Sequence, residues 1–466
     1  MYRTRQFHIK KNSRLYDYCR DLCRASAVLY NRANFIMRQY ATAVDAINEG
    51  KPLYDNQADI YRLVREILCD SKYLHDSKWL TYNALDRVLK VSGDRAYYAL
   101  PAQANQQILK LLLRDFRSFF EAVKAFGNNP EAFTGRPRLP KYVKENRLKT
   151  SILTNQICVI KENRFLKLPG TKTRLNLGDI EGGRLKEVRI KPSGDRFVID
   201  VVVEKEDVGI IPNDNNALLD ELSAMDSIDN IRVMAIDPGT DNIVAVVNNF
   251  GIKPFVIKGG MIKSVNQLYN KELARLSSAA MRCNGRYRTK RMSELTGKRN
   301  RRIKDQFHKI SRYLADYARD RQVDVVVMGH NTFQKQKIDI GHINNQNYVQ
   351  IPMKILADML RYKLAEYGIG FVLTEESYTS KADYLAQDRI PVYDKNNNGQ
   401  NTFSGNRIRR GLYRHFDGTI TNADINGAAN ILRKVFPKVT RWDRGIVDMP
   451  CSVGCMHFTG SCRKAA

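Results

Sequence analysis

Three stretches of this chain carry, at the ends of core elements, carboxylates that could act together on a metal ion. In Val233-Met234-Ala235-Ile236-Asp237-Pro238-Gly239-Thr240 a short apolar run delivers Asp237 to a tight turn. Ile243-Val244-Ala245-Val246-Val247 resumes behind it, the pattern of a buried strand and its hairpin return. In Phe371-Val372-Leu373-Thr374-Glu375-Glu376 strand alternation sends the two glutamates to opposite faces, so only one can reach a given site. In Asn422-Ala423-Asp424-Ile425-Asn426-Gly427-Ala428-Ala429-Asn430-Ile431 a helix begins. Its small residues allow close approach to a sheet while Asp424 projects from the first turn. Taken singly, Asp237 is a turn residue, either glutamate a solvated strand end, and Asp424 an acid favoured by the helix dipole. Together, at the ends of core elements, they suit two-metal phosphodiester hydrolysis, which needs carboxylates converging on ions about 3.5–4 Å apart.

Charge points to the substrate of such a site. Seventy-seven Lys and Arg against 49 Asp and Glu give a formal charge of +28 over 466 residues, spread along the chain rather than held in one tail. A field of that size calls for a polyanion, and nucleic acid is the expected partner. No apolar run approaches the ~20 residues that span a bilayer. Met1-Tyr2-Arg3-Thr4-Arg5 lacks the apolar stretch of a secretory signal, and neither an amphipathic anchor nor a lipidation motif is present, so no membrane association is expected. The eight cysteines are scattered, which fits a reducing cytoplasm. Cys451, Cys455, His457 and Cys462 are zinc-ligand types at irregular spacing, and zinc is not expected there.

The elements that must position the carboxylates can be read from periodicity. Residues 5–10 alternate as a strand, and from about Arg14 to Phe126 the apolar spacing is helical. Pro101 opens a helix with Ile108, Leu112, Phe116, Phe119, Phe120 and Val123 along one stripe. Lys110, Arg114, Arg117 and Lys124 fall mainly on its other faces, as a solvated surface or a nucleic-acid groove. Gly135-Arg136-Pro137-Arg138-Leu139-Pro140-Lys141-Tyr142 is a stiff basic connector, since each proline fixes its own φ and extends its predecessor. Four strands between Ile157 and Val203 describe a small β-domain, and Asp207 to Asn230 reads as an acidic linker. Beyond it, strands at Val233, Ile243 and Phe255, then helices alternating with strands at 323–328 and 371–374, describe a mixed α/β sheet of the ribonuclease H type. Arg282, Arg286, Arg288, Lys290, Arg291, Lys298, Arg299, Arg301, Arg302 and Lys304, with Glu294 the one acid among them, would line a channel for phosphates.

These residues resemble a known family. Ala235-Ile236-Asp237-Pro238-Gly239 and Asn422 to Ala428 look like the first and third motifs of a RuvC nuclease domain. Leu29-Tyr30-Asn31, Leu100-Pro101-Ala102-Gln103, Gly135 to Tyr142, His308 to Arg312, Asn345 to Pro352 and Tyr378-Thr379-Ser380-Lys381 resemble the transposon-encoded TnpB proteins. The likeness runs from Arg5 to about Lys434. It implies an RNA-guided DNA endonuclease of the prokaryotic cytoplasm or nucleoid, related to the small type V CRISPR effectors. Guide RNA and double-stranded DNA would be its partners, two Mg²⁺ its cofactors, and it would act as a monomer or a homodimer. The implied fold is multidomain α+β: a wedge β-barrel with an inserted helical recognition lobe, followed by a RuvC (ribonuclease H-like) α/β domain. On that plan residues 1–12 give the first wedge strand, 13–127 the helical lobe, 128–206 the wedge domain and 207–230 the linker. The RuvC domain takes 231–376 and a final helix at 422–436, with an insertion at 377–421 and a tail at 437–466.

Two departures from the family pattern bear on the site. The second RuvC strand usually ends in glutamate, whereas Val325-Val326-Val327-Met328-Gly329-His330-Asn331 holds none. Some members carry a rearranged glutamate just before the Thr-Ser pair, which makes Glu376, rather than Glu375, the third ligand beside Asp237 and Asp424. The zinc ribbon common between the last two acids is also missing, for no cysteine lies between Glu376 and Asp424. Arg407, Arg409 and Arg410 occupy that stretch and would hold target-strand phosphates. Two other readings remain open: a nuclease-dead guided DNA-binding protein, suggested by Gly329, and an unguided structure-specific nuclease of the same fold.

Overall fold

The computed structural model describes residues 2–69, 72–73, 77–178, 183–204, 215–285, 288–330, 350–392, 401–409, 411–437 and 449–454. The chain divides into two units, Met1–Glu206 and Asp207–Ala466.

In the first unit, strand β1 (Tyr2–Ile9) pairs antiparallel along its whole length with β7 (Arg196–Glu204), from Tyr2 opposite Glu204 to Ile9 opposite Phe197. With β6 (Arg184–Ser193) and β2 (Ser151–Thr154) they form a sheet in the order β1-β7-β6-β2. β3 (Val159–Lys161), β4 (Phe165–Lys167) and β5 (Arg174–Asn176) make a separate three-stranded sheet. The closed barrel implied by the resemblance is therefore not formed among the described residues. Four strands ending in the short β2 are too few to bring one sheet edge round to the other.

Helices α1 (Tyr16–Asn48), α2 (Asp55–Leu68), α3 (Tyr82–Val91), α4 (Arg95–Tyr98) and α5 (Ala102–Asn128) lie between β1 and β2 in the chain. α5 starts directly behind Pro101 and buries Ile108, Leu112 and Phe116. Its apolar stripe then leaves the core: Phe120 is 37% exposed and stacks edge-on against Trp79, ring centroids 5.3 Å apart. α1 grips the basic connector. The Asn31 amide donates to the Val143 carbonyl and accepts from its N–H, both at 2.8 Å, and Arg38 donates to the Pro140 carbonyl at 2.6 Å.

In the second unit the short continuous apolar runs become β8 (Val233–Pro238), β9 (Asn242–Asn248), β10 (Phe255–Lys258), β11 (Val325–Gly329) and β12 (Gly370–Thr374). With β16 (Cys451–Val453) they form one sheet ordered β12-β11-β8-β9-β10-β16, in which β9 alone runs against the others. Alternation splits the side chains between two cores. Met234, Ile236, Val246, Val326 and Met328 pack with α8 (Lys290–Asp320) and α9 (Met353–Ala365). Val233, Ala235, Ala245, Val327 and Val372 pack with α10 (Ala423–Val435) and α6 (Asn215–Ala224). α6 lies within the stretch expected to be linker: Leu218 and Leu222 bury despite the acidic composition, and Asn215 bonds both the N–H and the carbonyl of Leu373. α7 (Gly260–Asn284) precedes α8. The insertion adds a small sheet of β13 (Asn406–Arg409), β14 (Leu412–Arg414) and β15 (Ile420–Asn422).

Candidate functional site

Residues 233, 235 and 237 share the face of β8 that meets α10, so Asp237 arrives at the carboxyl end of the central strand on the helix side. Open α/β sheets place their ligands at that end of the strands. α10 is shaped to meet it. Asn422 caps the helix, accepting from the N–H groups of Asp424 and Ile425 at 3.0 and 3.3 Å. At Gly427 an added Cβ would lie 2.6 Å from Asp237 Oδ2, so only glycine lets the helix pass so close to the carboxylate. Asn426 and Asn430 bond the Ala382 carbonyl at 2.8 and 2.7 Å, and Asn430 also bonds that of Thr379 at 2.9 Å. These bonds hold the turn that follows β12.

That turn gives the two glutamates different neighbours. β12 ends at Thr374, so strand alternation does not govern the residues beyond it, and both glutamates turn toward α10 rather than to opposite faces of the sheet. Glu375 pairs with Lys434 in the last turn of the helix and accepts from the Ser377 N–H at 2.7 Å. Burial opposes its charge, but those bonds outweigh it and hold the carboxyl below its ordinary range. Glu376 lies beside Asp237, with its carbonyl fixed by the Thr379 hydroxyl at 2.8 Å. A Cβ added at Gly329 would stand 2.7 Å from Glu376 Oε2 and 2.7 Å from Ile431 Cδ1. The Glu376 carboxylate thus fills the space that a side chain at the end of β11 would need, and Gly329 and Glu376 are complementary.

Asp424 accepts from Asn242 Nδ2 at 2.6 Å through one oxygen and from Arg407 Nη2 at 3.3 Å through the other. Burial first, and then the charges of Glu376 and Asp424, push the Asp237 carboxyl well above the ordinary carboxylate range; Arg407 pulls part of the way back. All three expected acids therefore interact, although no group of three His, Cys, Asp or Glu side chains among the described residues is arranged to hold a metal ion as it stands. Periodicity did not single out Asn242, whose only signal was its place on the return strand of the Asp237 hairpin.

Arg407 is carried by β13, and the insertion behind it is held by a buried network. His415 Nδ1 lies 2.6 Å from Asp383 Oδ1, and His415 Nε2 lies 2.8 Å from the Thr421 hydroxyl. The Phe416 N–H donates to Asp383 Oδ2 at 2.7 Å. Burial works against the Asp383 charge, and the bonds from His415 and Phe416 overcome it and lower its pKa.

The expected basic residues divide. Arg136, Arg138 and Lys141 on the connector, Arg282 on α7, Arg288 ahead of α8, Lys290, Arg291 and Arg302 on α8, and Arg409 on β13 are exposed, whereas Arg301 is half-buried. Arg299 turns inward, bonding Asn266 at 2.8 Å and the Gln350 carbonyl, and burial lowers its pKa. It ties α8 to its neighbours. Cys451 lies in β16, while Arg286, Arg410, Cys455, His457 and Cys462 fall outside the described residues.

No helix among the described residues is long and apolar enough to cross a membrane. No curated protein matches the chain. Among solved structures, a Cas12f1–sgRNA–target DNA complex is 14% identical over 92% of this chain and 98% of that one, with a TM-score of 0.30. The mini-RNA-guided endonuclease CRISPR-Cas phi3 is 10% identical over 94% and 93%, at 0.42. C2c1 of Alicyclobacillus acidoterrestris with its single-guide RNA is 10% identical over 86% and 70%, at 0.32. Residues 228–334 match the OrfB_IS605 family, described as a probable transposase, and residues 354–431 match the Cas12f1-like TNB domain. The chain therefore carries an OrfB_IS605 segment, containing Asp237 and Gly329, followed by a Cas12f1-like TNB segment containing Glu376 and Asp424, and the TnpB resemblance read from its motifs is borne out.

Proposed function

We propose that this chain is an RNA-guided DNA endonuclease of the TnpB type. It would cut both strands of guide-matched DNA, beside a short adjacent motif, at one RuvC site formed by Asp237, Glu376 and Asp424. The observation that carries the reading is the convergence of acids from distant parts of the chain: a Cβ at Gly427, on the helix that bears Asp424, would stand 2.6 Å from Asp237 Oδ2, and one at Gly329, ending the neighbouring strand, 2.7 Å from Glu376 Oε2. A structural acid is better served by a partner like that of Glu375; a cluster of mutually repelling acids is suited to cations. The single reversed strand β9, beside a central β8 that carries the first acid, supports the ribonuclease H-like reading.

The donor set fits Mg²⁺, since all three groups offer hard carboxylate oxygens. Bound there, two magnesium ions would polarise the scissile phosphate and lower the pKa of the attacking water. The chain's own residues supply the rest. β8 and the close approach at Gly427 hold Asp237, the turn after β12 orients Glu376, and Asn422 fixes the helix end that bears Asp424. Arg407, half-exposed beside them, is in place to take a strand phosphate. The exposed arginines of α8 would hold a guide–target duplex by its backbone, with base pairing to the RNA choosing the sequence.

The nuclease-dead reading rested on Gly329, and the Glu376 carboxylate above that glycine favours an active enzyme. The protein purified with its RNA should cut a matched plasmid when Mg²⁺ is added. Asp237→Ala and Asp424→Ala should each lower the rate at least ~10³-fold, about 4 kcal/mol of barrier, while leaving guided DNA binding intact. Full activity in both variants would remove the site. Absence of any discrete copurifying RNA would favour an unguided nuclease.

A further inference from the structure

We propose that Asn242 is a positioning residue, whose side-chain N–H holds the Asp424 carboxylate in one orientation for ion binding. The inference rests on the nuclease reading above. Asp237 and Asp424 come from a strand and from the first turn of a helix, and helix ends fray. Asn242 ties the second acid to the hairpin of the first, for it stands on β9, five residues after Asp237, and donates to Asp424 Oδ2 at 2.6 Å. A carboxylate can only accept, so the amide must face it with nitrogen.

A purely structural asparagine would not look like this one. Asn242 is 6% exposed, and its Oδ1 is buried without any hydrogen-bond partner. Leaving a buried acceptor unpaired costs stability, and an apolar side chain of similar size would avoid that cost. The amide is retained at a position where local packing argues against it, as happens where function sets the choice.

The backbone around Asn242 is also held tightly. A Cβ at Gly239 would lie 2.6 Å from the Asn242 carbonyl oxygen, and one at Gly259 would lie 2.6 Å from that of Thr240. The Gly259 N–H donates to the Asp241 carbonyl at 2.7 Å, and the register of β9 with β10 shifts between Ile257 and Lys258, bringing Lys258 opposite Asn242. Both glycines let the turn close to a distance that no other residue permits, and the result is a fixed base for the amide. Arg407 meanwhile covers the other oxygen of Asp424 from a half-exposed position that a bound cation could replace.

The test uses Asn242→Leu and Asn242→Ala in the full-length protein. Manganese binding to the RNA-free chain is followed by paramagnetic resonance, and plasmid cleavage by the RNA-loaded protein is measured against magnesium concentration. Loss of the bond should weaken manganese binding about 10–100-fold, as is usual for groups that orient metal ligands. The magnesium needed for half-maximal cutting should rise by a similar factor, with the rate largely recovered at saturation. Asn242→Leu should melt no lower than the parent protein. Unchanged manganese affinity in either folded variant overturns the inference, and so does unfolding of both, which would make Asn242 simply structural. Asp424→Ala serves as the control: retained manganese binding and cutting there would overturn the nuclease reading itself, a separate failure.

Discussion

The carboxylates differ in role because their neighbours differ. Glu375 is neutralised by Lys434, so Glu375→Gln should leave plasmid cutting within a few-fold of the parent, whereas Glu376→Gln should lower it at least ~10³-fold. Gly329→Ala sets a methyl against both Glu376 Oε2 and Ile431. Overpacking of this kind costs roughly 1–3 kcal/mol, and it should displace Glu376 and cut activity while the three acids are unchanged; melting and cleavage assays on one preparation check both. As candidates, Asp237 and Asp424 were legible in the sequence because one ends an apolar run and the other stands in the first turn of a helix. The preference for Glu376 over Glu375 came from the family resemblance; the end of β12 at Thr374 and the pairing of Glu375 with Lys434 were not legible. Nor was the bond of Asn242 to a residue 182 positions away, which no local pattern encodes.

At the level of elements, α8 and α9 are joined by a buried cation. Lys363 on α9 is 3% exposed and donates to the His308 carbonyl and the Ser311 hydroxyl of α8, both at 2.7 Å. Burial, aided by the Arg312 charge, lowers its pKa to about 8. The unfolded chain, with an ordinary lysine, binds the extra proton up to higher pH, so below about pH 8 the folded state bears the full cost of the buried charge. Stability should therefore rise from about pH 8 toward the ordinary lysine value, by on the order of 3 kcal/mol. Lys363→Met should flatten that rise and increase stability at pH 7, as denaturant titrations at several pH values would show. In the insertion, His415→Ala takes the ring partner from buried Asp383, which keeps the N–H groups of Phe416 and Leu385, and should cost about 1–3 kcal/mol. The strands of the second unit were legible because they are short unbroken apolar runs, buried on both faces, with turn residues between them. α6 was hidden by the acidic composition around Leu218 and Leu222, and the open form of the first sheet depends on strand pairing across distant segments, which periodicity does not report.

For the whole molecule, the charge of +28 makes affinity for nucleic acid a function of salt. Each exposed arginine removed from α8, Arg291 or Arg302, should reduce the slope of log affinity against log salt by about 0.7–0.9 and leave the choice of target unaltered. Arg299→Ala should instead lower the melting temperature, because that guanidinium ties α8 to Asn266 and Gln350. A polyanionic partner was legible from composition alone; which cations face it was not, since Arg299 and Arg302 are indistinguishable in a basic run. Gly427 belongs to none of these gripping surfaces, yet a methyl there would press on Asp237. On the proposed function, that one carbon atom would separate a protein that severs its target from one that travels to the same address, stays, and stands in the way of whatever next moves along the DNA.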